Sequence, residues 1–223
     1  MRTRTKICGI TRLADALAAA DAGADAIGMV FWPGTPRRVT VDFARAVSAA
    51  LPPFVTKVAL FVDPDSTEVH AVLDAVPIDF LQFHGDEPPA FCKAFHRPYL
   101  KVVHMREDVD LVEYAARYAD ASGYLFDTFR AGDLPGGTGH TFDWSRLSPL
   151  LRAGLTAPLI LSGGLDPDNV NAAIRAVRPW AVDVSSGVEE CGADGKSRKG
   201  LKDAARIAAF IKGVRDADAR HEN

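Results

Sequence analysis

Cysteine is scarce in this chain of 223 residues: Cys8, Cys92 and Cys191 stand far apart, without the pairing of a disulfide frame or the spacing of a metal site. An odd, sparse count suits a reducing compartment, so a cytoplasmic location is expected. Of the histidines, His84, His104 and His140 fall on separate predicted strands or loops with no acidic triad near them, so no metal is expected. Long apolar runs are missing too, and nothing approaches the ~20 residues that cross a bilayer. The opening Met1-Arg-Thr-Arg-Thr-Lys-Ile-Cys8 has basic residues but no apolar signal core, and reads as the start of a mature chain. Charge of one sign is lacking as well. Lys and Arg number 26 against 29 Asp and Glu, a formal net charge of −3, which gives no bulk pull toward nucleic acid or an acidic membrane. Finally, no Gly-x-Gly-x-x-Gly follows the first predicted strand, which weakens the case for an open dinucleotide-binding sheet.

What is present is a steady alternation of strand and helix. Eight runs read as strands: Thr5–Cys8, Ala26–Phe31, Lys57–Val62, Phe80–Phe83, Leu100–His104, Gly123–Phe126, Pro158–Leu161 and Ala181–Val184. They are near-continuous apolar runs, the pattern of a parallel sheet covered by helices. Between them, apolar residues recur at helical spacing. Examples are Leu13, Ala16, Leu17 and Ala20; Val69, Val72, Leu73 and Val76; and Leu201, Ala204, Ala205, Ala208 and Ile211. Thr11, Thr40, Ser66 and Asp166 are candidate N-caps, with Pro167 at a first helical position. Eight such units without a composition break predict an α/β fold, one (β/α)₈ barrel over residues 1–223 with a frayed polar tail from Arg215.

In such a barrel the chemistry sits where strands end. Pro158-Leu-Ile-Leu-Ser-Gly-Gly164 and Ala181-Val-Asp-Val-Ser-Ser-Gly-Val-Glu189 each run into a small-residue turn. Glycines let backbone N–H groups approach a ligand, and hydroxyls and amides near a helix N-terminus suit an anion. Two such turns on consecutive strands read as a split phosphate grip. Cys8, followed by Gly9, is either a small buried hydrophobe or, with a lowered pKa, a base or nucleophile. No histidine adjoins it in sequence, so its activation has to come from the fold. Asp127 ends an apolar strand. It either caps the following loop or serves as a general acid whose proton an apolar setting retains. Of Arg37 and Arg38, one reads as a solvated surface charge and the other as a planar fork for a carboxylate. Gly136-Gly-Thr-Gly139 is a hinge or an amide cradle; His84 is a base, a ligand or a satisfied polar group.

Taken in order, the segments Lys6-Ile-Cys-Gly-Ile-Thr11, Gly23-Ala-Asp-Ala-Ile-Gly28, Thr35-Pro-Arg37, Gln82-Phe-His-Gly85, Leu125-Phe-Asp-Thr128, Gly136-Gly-Thr-Gly139, Phe142-Asp-Trp144, Leu161-Ser-Gly-Gly-Leu165 and Val182-to-Glu189 make the chain resemble the phosphoribosylanthranilate isomerases of tryptophan biosynthesis, from Lys6 to Ile211. That resemblance implies a cofactor-free Amadori rearrangement of N-(5-phosphoribosyl)anthranilate to 1-(2-carboxyphenylamino)-1-deoxyribulose 5-phosphate. It implies Asp127 as the acid that opens the ribose ring and Cys8 as the base that removes the C2′ proton. Arg37 is implied for the anthranilate carboxylate, Gly164, Ser185 and Ser186 for the phosphate, and Asp183 for a ribose hydroxyl. The expected partner is this small molecule, with no nucleic acid or membrane, and the chain is expected to act as a monomer or homodimer. Phe129-Arg-Ala-Gly-Asp-Leu-Pro135 is the chain's own version of a loop that varies in the family.

Three rivals follow from the same residues. A histidine-pathway aminoaldose isomerase would do the same chemistry with two aspartates, and Cys8 argues against it. A non-catalytic phosphate-binding barrel would have lost Cys8 or Asp127. A Schiff-base aldolase needs a lysine on an inner strand, which Lys101 could supply.

Overall fold

The computed structural model describes residues 2–128, 141–147, 154–155, 157–193 and 195–219. Eight parallel strands close into a barrel in sequence order: β1 (Arg4–Cys8), β2 (Ala26–Val30), β3 (Thr56–Phe61), β4 (Phe80–Phe83), β5 (Tyr99–His104), β6 (Gly123–Asp127), β7 (Leu159–Leu161) and β8 (Ala181–Val184). β8 returns to β1 with Thr5 opposite Val182 and Lys6 opposite Asp183, which closes the ring. Helices α1 (Leu13–Ala22), α2 (Val41–Ala50), α3 (Ser66–Ala75), α4 (Pro89–Lys93), α5 (Leu111–Arg117), α6 (Val170–Val177) and α7 (Ala204–Ala219) cover the outside. The loops at 129–140, with Gly136–Gly139 and His140, lie outside the described residues.

Each strand is buried on both faces because it has two cores to fill. Ile7, Ile27, Ala59, Leu81, Val103, Phe126 and Val182 point out and pack under the helices. Leu100, Val102, Leu125, Ile160 and Ala181 fill the inside. Strand period two decides the rest. Lys6 and Cys8, Gln82 and His84, Leu125 and Asp127, Ile160 and Ser162, and Ala181, Asp183 and Ser185 share the inner parity, so the polar members stack at the C-terminal mouth above an apolar floor.

Several local expectations change. Thr40 caps α2, accepting from the Phe43 amide at 3.2 Å. The cap of α1 is Arg12 rather than Thr11, whose hydroxyl is spent on the Gly200 carbonyl. Ser66 is the first residue of α3, and Asp65 caps it while its amide donates to Glu68 at 3.0 Å. Asp166 and Pro167 precede α6 by a turn: Asp166 accepts from the Asp168 and Asn169 amides, and the helix begins at Val170 behind Asn169. Leu201 is not helical. It lies in an antiparallel hairpin, β9 (Glu189–Cys191) with β10 (Ser197–Lys202), and Asp203 caps α7 after it. Arg215 does not start a frayed tail. The helix runs to Ala219 because Val214 and Ala217 are buried and Asp218 accepts from Thr3.

Candidate active site

A cleft at the C-terminal mouth is lined by Cys8, Val30, Trp32, Thr35, Arg37, Leu60, Val62, Gln82, His84, Asp127, Ser162, Asp183 and Ser185. Four strand ends therefore deliver Cys8, His84, Asp127, Asp183 and Ser185 to one space, although 177 positions separate Cys8 from Ser185 in a chain of 223. A groove beside it, walled by Phe31, Pro33, Arg38 and Val39, shares Trp32 and Val62.

Cys8 sits over Gly28 of the neighbouring strand. A Cβ built on Gly28 would come within 2.7 Å of the Cys8 sulfur and 3.2 Å of Lys6 Cε, so only glycine leaves the thiol its place. Burial pushes the Cys8 thiol up, the Lys6 ammonium opposes this, Asp183 adds to the rise, and Lys202 counters it more weakly. The balance is a raised value, against the lowered one that a reactive thiolate needs. Two buried lysines are the groups that moderate it. Lys6 donates to Asp183 at 2.7 Å, and both are buried.

Asp127 is buried at the end of β6, but its company is polar rather than apolar. Oδ1 accepts from the Thr128 amide at 2.8 Å, and Oδ2 lies 3.4 Å from His84 Nε2. Gln82 Nε2 lies 3.2 Å from His84 Nδ1. With Gln82 as donor, the ring proton belongs on Nε2, facing the carboxylate; this tautomer is assigned from the hydrogen bonds. His84 is thus neither bystander nor ligand, but the neighbour of the candidate acid. His104 Nε2 meets the His84 carbonyl at 2.9 Å; burial and His84 hold its pKa below the ordinary value.

Arg38 is exposed and Arg37 buried, which separates the two arginines as expected. Arg37 is not an empty fork. Nε and Nη2 grip Glu189 at 2.7 and 2.9 Å. Glu189 also accepts from Ser197, the Gly200 amide and Lys202. Burial raises the Glu189 carboxyl, but the bond from Arg37 and the charge of Lys202 outweigh it and hold the pKa at about 2. Burial in turn lowers Lys202, whose ammonium also donates to the Ser185 carbonyl at 2.9 Å and lies 3.3 Å from its hydroxyl.

The twin turns meet. A Cβ on Gly187 would fall 1.9 Å from the Leu165 carbonyl oxygen, so the turns after β7 and β8 touch backbone to backbone. Gly164 has φ +62°, and its carbonyl accepts from Asn169 Nδ2 at 2.8 Å. Ser185 lines the cleft; Ser186 starts a short 3₁₀ turn, Ser186–Val188. Lys101, by contrast, points outward. It is fully buried against Glu87 at 2.7 Å and the Gly85 carbonyl, and no part of it reaches the barrel interior, which removes the aldolase reading. Sequence reasoning missed Lys6, Gln82, Glu189 and Lys202. The inner parity of Lys6 and Gln82 was the signal for those two; nothing local marks the pairing of Glu189 with Lys202.

Comparison with known proteins identifies the family and the fold. The model of the N-(5′-phosphoribosyl)anthranilate (PRA) isomerase family matches residues 5–213. An N-(5′-phosphoribosyl)anthranilate isomerase of Alcanivorax borkumensis is 54% identical over 212 residues, covering 95% of each chain. A solved phosphoribosyl anthranilate isomerase in complex with reduced 1-(o-carboxyphenylamino)-1-deoxyribulose 5-phosphate superposes with a TM-score of 0.81 at 38% identity, over 96% of this chain and 99% of that one. Monomers generated from the dimeric enzyme of Thermotoga maritima give 0.80 at 37% identity, over the same shares. The chain belongs to the N-(5′-phosphoribosyl)anthranilate isomerase family.

Proposed function

We propose that this cleft carries out the Amadori rearrangement of N-(5-phosphoribosyl)anthranilate in tryptophan biosynthesis, with Cys8 and Asp127 as its proton-transfer groups. The observation that carries the reading is that a thiol on β1 and a carboxyl on β6 line one cleft, beside a pair of touching glycine turns and a buried arginine. Asp127 gives its proton to the ribose ring oxygen as the C1′–O bond breaks, and the nitrogen lone pair forms the C1′=N bond. Cys8, as thiolate, then takes the proton from C2′; the C–H pair forms the C1′=C2′ bond of the enolamine as the C1′=N π pair returns to nitrogen. Protonation at C1′ and loss of the C2′ hydroxyl proton give the ketone, so the reaction is a net isomerisation. Each positioned proton transfer typically contributes about 10²–10⁴-fold.

The amides around Gly164, Ser185 and Ser186 would hold the phosphate, Asp183 a ribose hydroxyl and Arg37 Nη1 the anthranilate carboxylate. Phosphate binding away from C2′ then fixes the sugar between acid and base. The protein works in the cytoplasm as one barrel domain over its 223 residues, without a cofactor, as a monomer or homodimer; sedimentation of the purified chain decides between one copy and two.

The test follows substrate fluorescence with freshly generated phosphoribosylanthranilate, with the histidine-pathway aminoaldose beside it. Rapid loss of emission and no turnover of the aminoaldose are expected. Turnover of the aminoaldose alone would overturn the substrate assignment.

A further inference from the structure

Cys8 needs a counter-charge that its own sequence neighbourhood does not supply, and β1 provides one two residues earlier. Lys6 and Cys8 share the inner face of the strand, and Lys6 Cε and Cys8 Sγ flank the same point above Gly28. The ammonium spends one donor on Asp183 at 2.7 Å, across the seam where β8 closes on β1. The sulfur beside it feels the Lys6 ammonium, which opposes the effect of burial on the thiol. The groups facing Cys8 are few: Lys6 on its own strand, Asp183 and Ser185 on β8, Arg37 after β2, His84 and Asp127 across the cleft, and Lys202 behind Ser185.

We propose that Lys6 is a positioning residue for the proton transfer at Cys8, its buried ammonium, anchored by Asp183, serving as the fixed counter-charge of the thiolate. This rests on the reading of Cys8 as the base. A buried ion pair is a poor device for stability alone, because packed apolar side chains of similar volume often do as well. Around it on the inner face Leu100, Leu125, Ile160 and Ala181 form an apolar cluster, with Arg4 at the far rim. A charge pair directly under the cleft is therefore in the place where it acts on the sulfur. Burial lowers the proton affinity of Lys6, but Asp183 and Cys8 together outweigh it and raise the pKa above the ordinary lysine value.

The geometry gives Lys6 and Asp183 opposite signs, which a purely structural pair would not show. The measurement is the pH titration of Cys8 by ultraviolet thiolate absorbance, taken as the difference between each protein and its Cys8→Ser counterpart, which cancels Cys92 and Cys191. Lys6→Met should move the midpoint upward by about one pH unit or more. Lys6→Arg should leave it near the wild-type position, and Asp183→Asn, which keeps the lysine, should move it downward. In kinetics, Lys6→Met should lower kcat at neutral pH by roughly tenfold or more and regain activity toward alkaline pH, while Lys6→Arg retains most of it. If Lys6→Met does not fold, the downward shift in Asp183→Asn still decides. Midpoints that stay fixed, or that move the same way in both variants, overturn the inference. Wild-type turnover by Cys8→Ser would instead overturn the base reading, with the measured sulfur–lysine electrostatics unaffected.

Discussion

Arg37 and Glu189, 152 positions apart, form a buried two-bond pair with Nε–Oε1 2.7 Å and Nη2–Oε2 2.9 Å, which ties the loop after β2 to the hairpin after β8. The pair aims the guanidinium, whose other edge is the one proposed to bind the anthranilate carboxylate. Arg37→Ala should therefore raise KM by tenfold or more with a smaller effect on kcat. It also leaves Glu189 buried with Lys202 as its remaining cation, so stability should fall by less than the roughly 3–5 kcal/mol that accompanies a fully orphaned buried charge. Arg37→Lys should not restore KM, because one ammonium cannot span both carboxylate oxygens and still offer a planar edge. Steady-state kinetics and thermal melts check both, and an unchanged KM in Arg37→Ala removes the carboxylate role.

Acid should loosen the same pair. The folded-state pKa of Glu189 is about 2, below the ordinary 4.5, so the folded protein holds this carboxylate ionised where the unfolded chain takes up a proton. A depressed carboxyl contributes stability that is complete above about pH 4.5 and is lost as pH falls from there toward about 2. Urea unfolding at stepped pH should show that decline. Glu189→Gln should be less stable at neutral pH but flatter across this window, and an equally steep decline in the variant contradicts the assignment.

Gly28→Ala tests the seat of the thiol. The added carbon would meet Cys8 Sγ at 2.7 Å and Lys6 Cε at 3.2 Å, so both must move. Overpacking of this kind typically costs about 1–3 kcal/mol. The expected signature is a large loss of kcat with the affinity for reduced 1-(o-carboxyphenylamino)-1-deoxyribulose 5-phosphate nearly retained, read by calorimetry beside kinetics. Normal kcat would mean that Cys8 tolerates displacement and is not the base.

The barrel strands were legible because each is buried on two faces, and a doubly buried strand needs an almost unbroken apolar run; Ala26–Val30 and Phe80–Phe83 are of this kind. Cys8, Asp127 and Ser185 were legible because they break such runs at the end where the mouth lies. The hairpin was not. Half of Ser197–Lys202 is charged and half exposed, and its pairing serves Glu189 through Ser197, Gly200 and Lys202 rather than a core, so it carries no apolar period. Lys6 was hidden differently: within Arg2, Arg4 and Lys6 it looks like one more solvated base, and only its parity with Cys8 distinguishes it. Pro167 misled because a proline suits a first helical turn, whereas the Asp166 turn takes up three residues before α6 begins.

In the proposed mechanism Cys8 and Asp127 move protons on opposite sides of one sugar. Its most direct test is a paired single-turnover measurement on Cys8→Ser and Asp127→Asn with phosphoribosylanthranilate, alongside binding of the reduced product analogue. Each variant should lose orders of magnitude in the chemical step, in line with the roughly 10²–10⁴-fold that a positioned acid or base supplies, while Kd stays within about tenfold. Near-wild-type turnover in either variant, with folding and binding intact, would contradict the account.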